Sequence, residues 1–139
     1  MEPEKLKAII VAHRLWIDKK KGGIRANFQG KNLSDIIAEL DFSGVNLSKA
    51  NFSGADLNSL NFADADLSEA NLFCVDFSNS NLTNTNLTGA DLTGADLTGA
   101  DLTNAKFIDA NLTAANFTGA NKTGTNFSGA DLTQAHNVY

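Results

Sequence analysis

The chain holds one cysteine, one proline, one tryptophan and two histidines in 139 residues, and no arginine follows Arg25. A single cysteine excludes an internal disulfide. His13 and His136 stand near opposite ends, and Cys74 has no base at a plausible spacing, so no catalytic residue is expected and the chain reads as a non-enzyme. No apolar run is long enough for a membrane-spanning helix, and the run Ala8 to Ala12 is short and followed by His13 and Arg14. No signal peptide, no membrane partner and a bacterial, cytoplasmic setting are the expectations. The Gly-rich loops that hold calcium in other repeat proteins are missing too, so neither metal nor cofactor is expected.

What is present is a step of five. From Phe42 to Leu132 every fifth residue is Leu or Phe, Lys122 alone excepted, giving nineteen units in one register. A helix cannot use this pattern, because five residues advance each Leu by about 140° around the cylinder. A continuous strand fails as well, since an odd period sends consecutive Leu residues to opposite faces. The chain must therefore turn within every unit.

The remaining positions say how. Two residues before each centre stands a small residue, as at Ala50, Ala55, Ala90 and Ala110, with the same parity as the centre and so also inward. Between them stands Asp or Asn, from Asp41 and Asn46 to Asp131, facing out. After the centre come Ser or Thr and often Gly, as in Thr93-Gly94 and Ser128-Gly129, the chemistry of a type II turn with positive φ at its third residue. Each unit is a short extended edge followed by a corner. Cys74 falls on such a corner, as a small residue tolerated there.

Blocks such as Ala90-Asp91-Leu92-Thr93-Gly94 resemble the consensus of the pentapeptide repeat family. The resemblance implies an all-β solenoid, a right-handed quadrilateral β-helix with four units per coil. Nineteen units would make about five coils, a rod of roughly 24 Å at the spacing of neighbouring strands. Each coil contacts only its neighbours.

The first forty residues differ. Pro3 and Glu4 suit a helix start, and Leu6, Ile9, Ile10, His13, Trp16 and Ile17 recur at helical spacing through to Lys20, with Gly22-Gly23 as the stop. An open solenoid end exposes its core and strand edges, so this helix is read as an N-terminal cap with Trp16 over the first coil. Lys5, Lys7, Lys19, Lys20 and Lys21 make a membrane-surface or partner helix the alternative. Residues 1–25 thus form the cap and connection, and residues 26–139 the β-helix, within one structural domain. Leu33 to Phe42 spans nine residues where two units need ten, which predicts a one-residue deletion within Ser34 to Glu39. A short helical turn or bulge would follow there, with Ile36 and Ile37 plugging the gap.

Charge divides the chain. Residues 1–39 carry a net charge of +3 and residues 40–139 a net charge of −8, which argues against direct nucleic-acid binding. Four units per coil stack Asp56, Asp76 and Asp96 into an acidic column, the candidate partner-binding feature, continued by Asn116 and His136. The alternative is that Asp and Asn only serve turn geometry and solubility. Lys122 falls in an inward slot, so the last coil opens or its ammonium reaches out. The resemblance implies pairing through C-terminal coils, with Lys122, Phe127 and Leu132 as dimer contacts; a monomer closed by Val138 and Tyr139 stands beside it.

Three functional classes follow. The first is a rigid scaffold that binds an unidentified protein. The second, suggested by the gyrase-inhibitor and quinolone-resistance members of the family, is an acidic DNA mimic of a type II topoisomerase site. The third, ice binding through Thr columns such as Thr83, Thr103 and Thr123, is weakened by interruptions at Ala63, Phe73 and Ile108. Outward Phe73 and Ile108 offer a sticky spot.

Overall fold

Nineteen inward residues five apart share one core only if the chain returns above itself, and the resemblance implies a return every fourth unit. The computed structural model, which describes residues 3–33 and 41–139, has that period. Parallel bridges join Asp41 to Asn61, Asn46 to Asp66, Asn51 to Asn71 and Asp56 to Asp76, each twenty residues apart, and the register runs on to Asn116 and His136. We number the four faces by their Asp/Asn columns. Face 1 holds Asn27, Asn51, Asn71, Asp91, Asn111 and Asp131; face 2 holds Asn32, Asp56, Asp76, Asp96, Asn116 and His136. Asp41, Asn61, Asn81, Asp101 and Asn121 form face 3, and Asn46, Asp66, Asn86, Lys106 and Asn126 form face 4.

The inward residues stack as the register requires. Phe42 lies on Phe62 with ring centroids 4.8 Å apart, and Phe28 lies on Phe52 at the same 4.8 Å. That distance is the spacing of neighbouring strands, so each ring is lifted by one coil. Perpendicular contacts, Phe62 with Phe77 among them, knit the stacks across the interior. The Leu and Phe centres from Phe42 to Phe117 are 0% exposed, with the alanines filling the space between them. Ser80 and Thr85 replace alanine without an orphaned hydroxyl: Ser80 donates to the Phe77 carbonyl and Thr85 to that of Phe62.

Two bridges overturn the expected deletion. Asn27 pairs with Asn51 and Asn32 with Asp56, a register of twenty-four instead of twenty. Leu33 on face 2 and Phe42 on face 3 are therefore separated by one unit, not two, and their nine-residue spacing is a four-residue insertion. The sequence count went wrong because a missing residue in two units and four extra in one leave the same gap. The expectations for Ser34, Ile36, Ile37 and Glu39 lie outside the described residues.

The corners follow the expected turn. In all nineteen turns from Gly44 to Gln134 the third residue has positive φ, but glycine supplies only eight of them. Lys49, Ser59, Asp64, Glu69, Cys74 and Ala114 are among the others, at φ between 51° and 62°. The corners from Gly44 to Ala114 are each tied to the next coil through the backbone, as where the Cys74 amide donates to the Thr93 carbonyl, and this holds residues that would otherwise avoid the left-handed region.

Helix α1 spans Pro3–Ile17, shorter than the reading through Lys20. The Lys20 amide donates to the Leu15 carbonyl and the Lys19 amide to that of Trp16, with Lys19 at φ 54°. This closure turns the chain before Gly22-Gly23 is reached, with a lysine where glycine is usual. Gly23 has another role: a Cβ there would lie 2.4 Å from the Trp16 nitrogen, so only glycine lets the returning chain lie flush on the helix. No described helix is long and apolar enough to cross a membrane.

Candidate functional site

The outer surface is built by one repeated device. Each Asp or Asn turns its Oδ1 back to accept the amide two residues on: Asp41 from Ser43 at 2.9 Å, Asp76 from Ser78 at 2.8 Å and Asp96 from Thr98 at 2.9 Å. The side chain stands in for a backbone carbonyl at the corner, which is why a short acceptor recurs there. Where that second residue is Thr, Thr83 excepted, its hydroxyl donates to the same oxygen at 2.5 to 2.7 Å, as at Thr93, Thr98 and Thr103. Thr98 and Thr103 also accept amide hydrogens from Asn116 and Asn121 of the next coil. The hydroxyls of Thr103 and Thr123, two of the three in the column named for ice binding, are thus engaged within the protein.

Electrostatics follow from the same contacts. Hydrogen bonds from the Ser43 amide and then its hydroxyl hold the Asp41 carboxyl below the usual range. The Thr103 and Thr133 hydroxyls, followed by their amides, do the same for Asp101 and Asp131. On faces 3 and 4 a carboxylate stacks against an amide: Asn61 Nδ2 donates to Asp41 at 2.9 Å and Asn86 Nδ2 to Asp66 at 3.2 Å. Face 2 is different, because Asp56, Asp76 and Asp96 bridge one another in succession with no amide between them. All three side chains are half-buried, and Asp56 also accepts from Asn58 Nδ2 at 2.6 Å. The acidic column read from the sequence is thus a single row in space, and its turn-capping duty is real as well.

At the N-terminal end, Leu6 at 2% and His13 at 0% exposure are the wholly buried side chains of α1. Ile9 and Ile10 pack partly against the core. Trp16 lies at the edge, stacked on His13 at 5.6 Å and lining a cleft with Ile17, Lys19, Ser48 and Lys49. His13 Nδ1 accepts the Ala26 amide at 3.1 Å, which fixes the neutral ring with its proton on Nε2. That Nε2 is buried without a hydrogen bond. Burial lowers the His13 pKa; the facing Ser48 carbonyl pulls it up and the Arg25 charge lowers it further. Sequence spacing placed His13 on the inner face of the helix, but could not show that it ties the helix to the first unit.

At the other end Lys122 resolves as expected for a cation in an inward slot: its ammonium reaches the Asn137 carbonyl at 2.7 Å. Phe127 stacks on Phe107 at 5.3 Å, and Phe127 and Leu132 are half-buried. Cys74 is exposed on its corner, and Phe73 beside it is 46% exposed. Among the described residues no His, Cys, Asp or Glu cluster could hold a metal ion.

A four-faced solenoid whose corners are capped by recurring Asp and Asn defines the class. The pentapeptide repeats match the chain in eight copies over residues 38–72, 70–107 and 95–134. The chain belongs to the pentapeptide repeat family. Among solved structures it is similar to a pentapeptide repeat protein of the Arabidopsis thaliana thylakoid lumen, with 30% identity, 78% of this chain and 70% of that one covered, and a TM-score of 0.63. A pentapeptide repeat protein from Nostoc Pcc 7120 shares 33% identity over 66% of this chain and 77% of its own, with a TM-score of 0.56. A plasmid-mediated fluoroquinolone resistance protein, QnrB1, is 24% identical with a TM-score of 0.38, too distant to carry a functional argument. No curated protein matches in sequence.

Proposed function

We propose that the protein is a non-enzymatic cytoplasmic docking rod of five full coils, closed at its N-terminal end by α1, whose faces recognise a partner protein. The observation that carries this reading is the division of labour at the Asp and Asn positions. Oδ1 of each is spent on its own corner, so the backbone is held without help from the partner, and the second polar atom, Oδ2 of Asp or Nδ2 of Asn, is left at a fixed height on the face. A surface ordered before binding loses little entropy on docking. Capture of partner protein from a lysate by immobilised wild type, compared with variants that reverse charge on one face at a time, tests it. Loss confined to one face, with an unchanged circular dichroism spectrum, is expected; equal loss on all four faces would count against a specific docking side.

The acidic row on face 2 favours a second reading, mimicry of DNA toward a type II topoisomerase such as gyrase. Five coils at about 4.8 Å span the length of only about seven base pairs, so a monomer would imitate a short stretch of duplex. A supercoiling assay with increasing protein, beside the variant with Asp56, Asp76 and Asp96 changed to Asn, decides this reading. Inhibition that disappears in the variant supports mimicry; full supercoiling at every protein level removes it.

A further inference from the structure

Beside α1 runs a cleft of about 440 Å³. One wall is the helix, through Lys5, Ala8, Ile9 and Ala12, and the other is the chain returning from it, through Ile24, Arg25 and Asn27. The helical wall is a single stripe at three- and four-residue spacing, about two turns or roughly 10 Å long. It flanks the stripe of Leu6 and His13 that seats α1 on the coils. Ala8 is exposed, Ile9 and Ala12 are partly so, and Ile24 opposite them is 68% exposed.

The returning wall is fixed by bonds on three successive residues. The Ile24 amide donates to the Ala12 carbonyl at 3.0 Å, Arg25 Nε to the Lys49 carbonyl, and the Ala26 amide to His13 Nδ1 at 3.1 Å. The groove is therefore formed before anything enters it. Its charge is of one sign: Lys7 is held by Glu4 at 2.9 Å, but among the described residues no carboxylate pairs with Lys5 or Arg25. Residues 3–33 hold eight Lys or Arg against Glu4 and Asp18 alone, whereas residues 41–139 hold three Lys against eleven Asp or Glu. An acidic partner is thus drawn to the cap and turned away from the coils.

The geometry points to an acidic amphipathic helix of another protein as the occupant of this cleft. Ala8 and Ala12, four residues apart, let a second helix approach α1 closely, and the stripe receives apolar anchors at the same spacing. Carboxylates beside those anchors meet the Lys5 ammonium, with Arg25 adding its field from the other wall. The cleft is open along its length, so its occupant needs a polar back of its own, as an amphipathic helix has. A flat lipid surface would touch Val11, 60% exposed, and Ile24, but would not reach down to Ile9 and Ala12. A second copy of this chain does not supply the occupant, because α1, the one helix among the described residues, is itself basic. The site belongs to the cap, so capture through a coil face can fail while the cleft still binds, and the reverse.

Panning a displayed library of helical peptides on the immobilised protein, with the Ala8→Glu variant used to deplete unrelated binders, tests the assignment. Enriched peptides should carry apolar residues three or four apart flanked by Asp or Glu. In fluorescence anisotropy such a peptide should bind Lys5→Glu and Ile24→Asp about tenfold or more weakly than wild type, and wild type itself more weakly as salt rises. Circular dichroism confirms that each variant is folded. No enrichment above the depleting variant overturns the proposal, as does a consensus without acidic residues or binding indifferent to both substitutions. Cosedimentation with phosphatidylserine-containing vesicles that the same two substitutions abolish would assign the cleft to a membrane and overturn it as well.

Discussion

Protonating His13 should loosen α1 from the coils, and the structure sets the size of the effect. The neutral ring accepts the Ala26 amide through Nδ1 at 3.1 Å in a site with no solvent exposure. A proton on Nδ1 turns that acceptor into a donor facing a donor. Leaving a buried amide unmet costs about 1–3 kcal/mol, a factor of roughly 5 to 150 in the docking equilibrium. The groups around the ring act in both directions: burial and the Arg25 charge oppose the cation, while the Ser48 carbonyl favours it. With the native pKa lowered, the unfolded chain binds more protons than the folded one, so stability rises with pH. The helix is held fully above the ordinary histidine value near 6.5, loses support as pH falls below it, and loses no more once pH drops below the depressed native value. Trp16, the sole tryptophan, stacks on the imidazole and reports the change by fluorescence during thermal unfolding at about pH 8 and about pH 5. His13→Phe keeps the stack and removes the acceptor, so it should be weaker by a similar amount at both pH values. A wild type that shows no more pH dependence than His13→Phe would refute the reasoning.

Phe62 is 0% exposed and contacts Phe42, Phe52 and Phe77, so Phe62→Ala should cost about 3–5 kcal/mol in a denaturant melt; a loss below about 1 kcal/mol would mean that the coils collapse around the cavity. Gly129→Ala and Gly119→Ala should each cost about 1–2 kcal/mol through their positive φ of 71° and 68°, since a Cβ at 119 meets nothing nearer than 3.9 Å and one at 129 meets only the end of the exposed Asp109 side chain, which can rotate away. A melting temperature for the 129 variant far below that of the 119 variant would show that Asp109 cannot move. Changing Asp56, Asp76 and Asp96 together to Asn keeps every corner acceptor and relieves up to about 1 kcal/mol per neighbouring pair in unscreened water. The triple variant should therefore melt at or above wild type, most clearly at low salt, and a lower melting temperature would show that the carboxylates are structural.

The sequence by itself determined the repeat. An odd period of five forbids both helix and continuous strand, so the inward Leu and Phe and the corners were legible in it, while the four-unit coil, and with it the acidic column of Asp56, Asp76 and Asp96, came from the resemblance to the pentapeptide repeat family. Where the signal was local the reading held: Lys122 in an inward slot required either an opened last coil or an ammonium that reaches out, and the ammonium reaches the Asn137 carbonyl. Where two segments had to be aligned through an irregular stretch it failed, because nine residues between Leu33 and Phe42 fit a deletion in two units as well as an insertion in one. The pairing of Asn27 with Asn51 and of Asn32 with Asp56, with Phe28 stacked on Phe52, distinguishes them. The corners without glycine were less legible, since a left-handed residue such as Lys49 or Glu69 is held by backbone bonds to the neighbouring coil, which no window of sequence contains. The site at the N-terminal end was the least visible part. His13 has the same helical spacing as its apolar neighbours, and its bond to Ala26, like the meeting of Ala12 with Ile24, depends on how the chain returns after Gly23. Periodic burial is written residue by residue, whereas a cleft and a buried imidazole arise only when non-repeating segments meet in three dimensions.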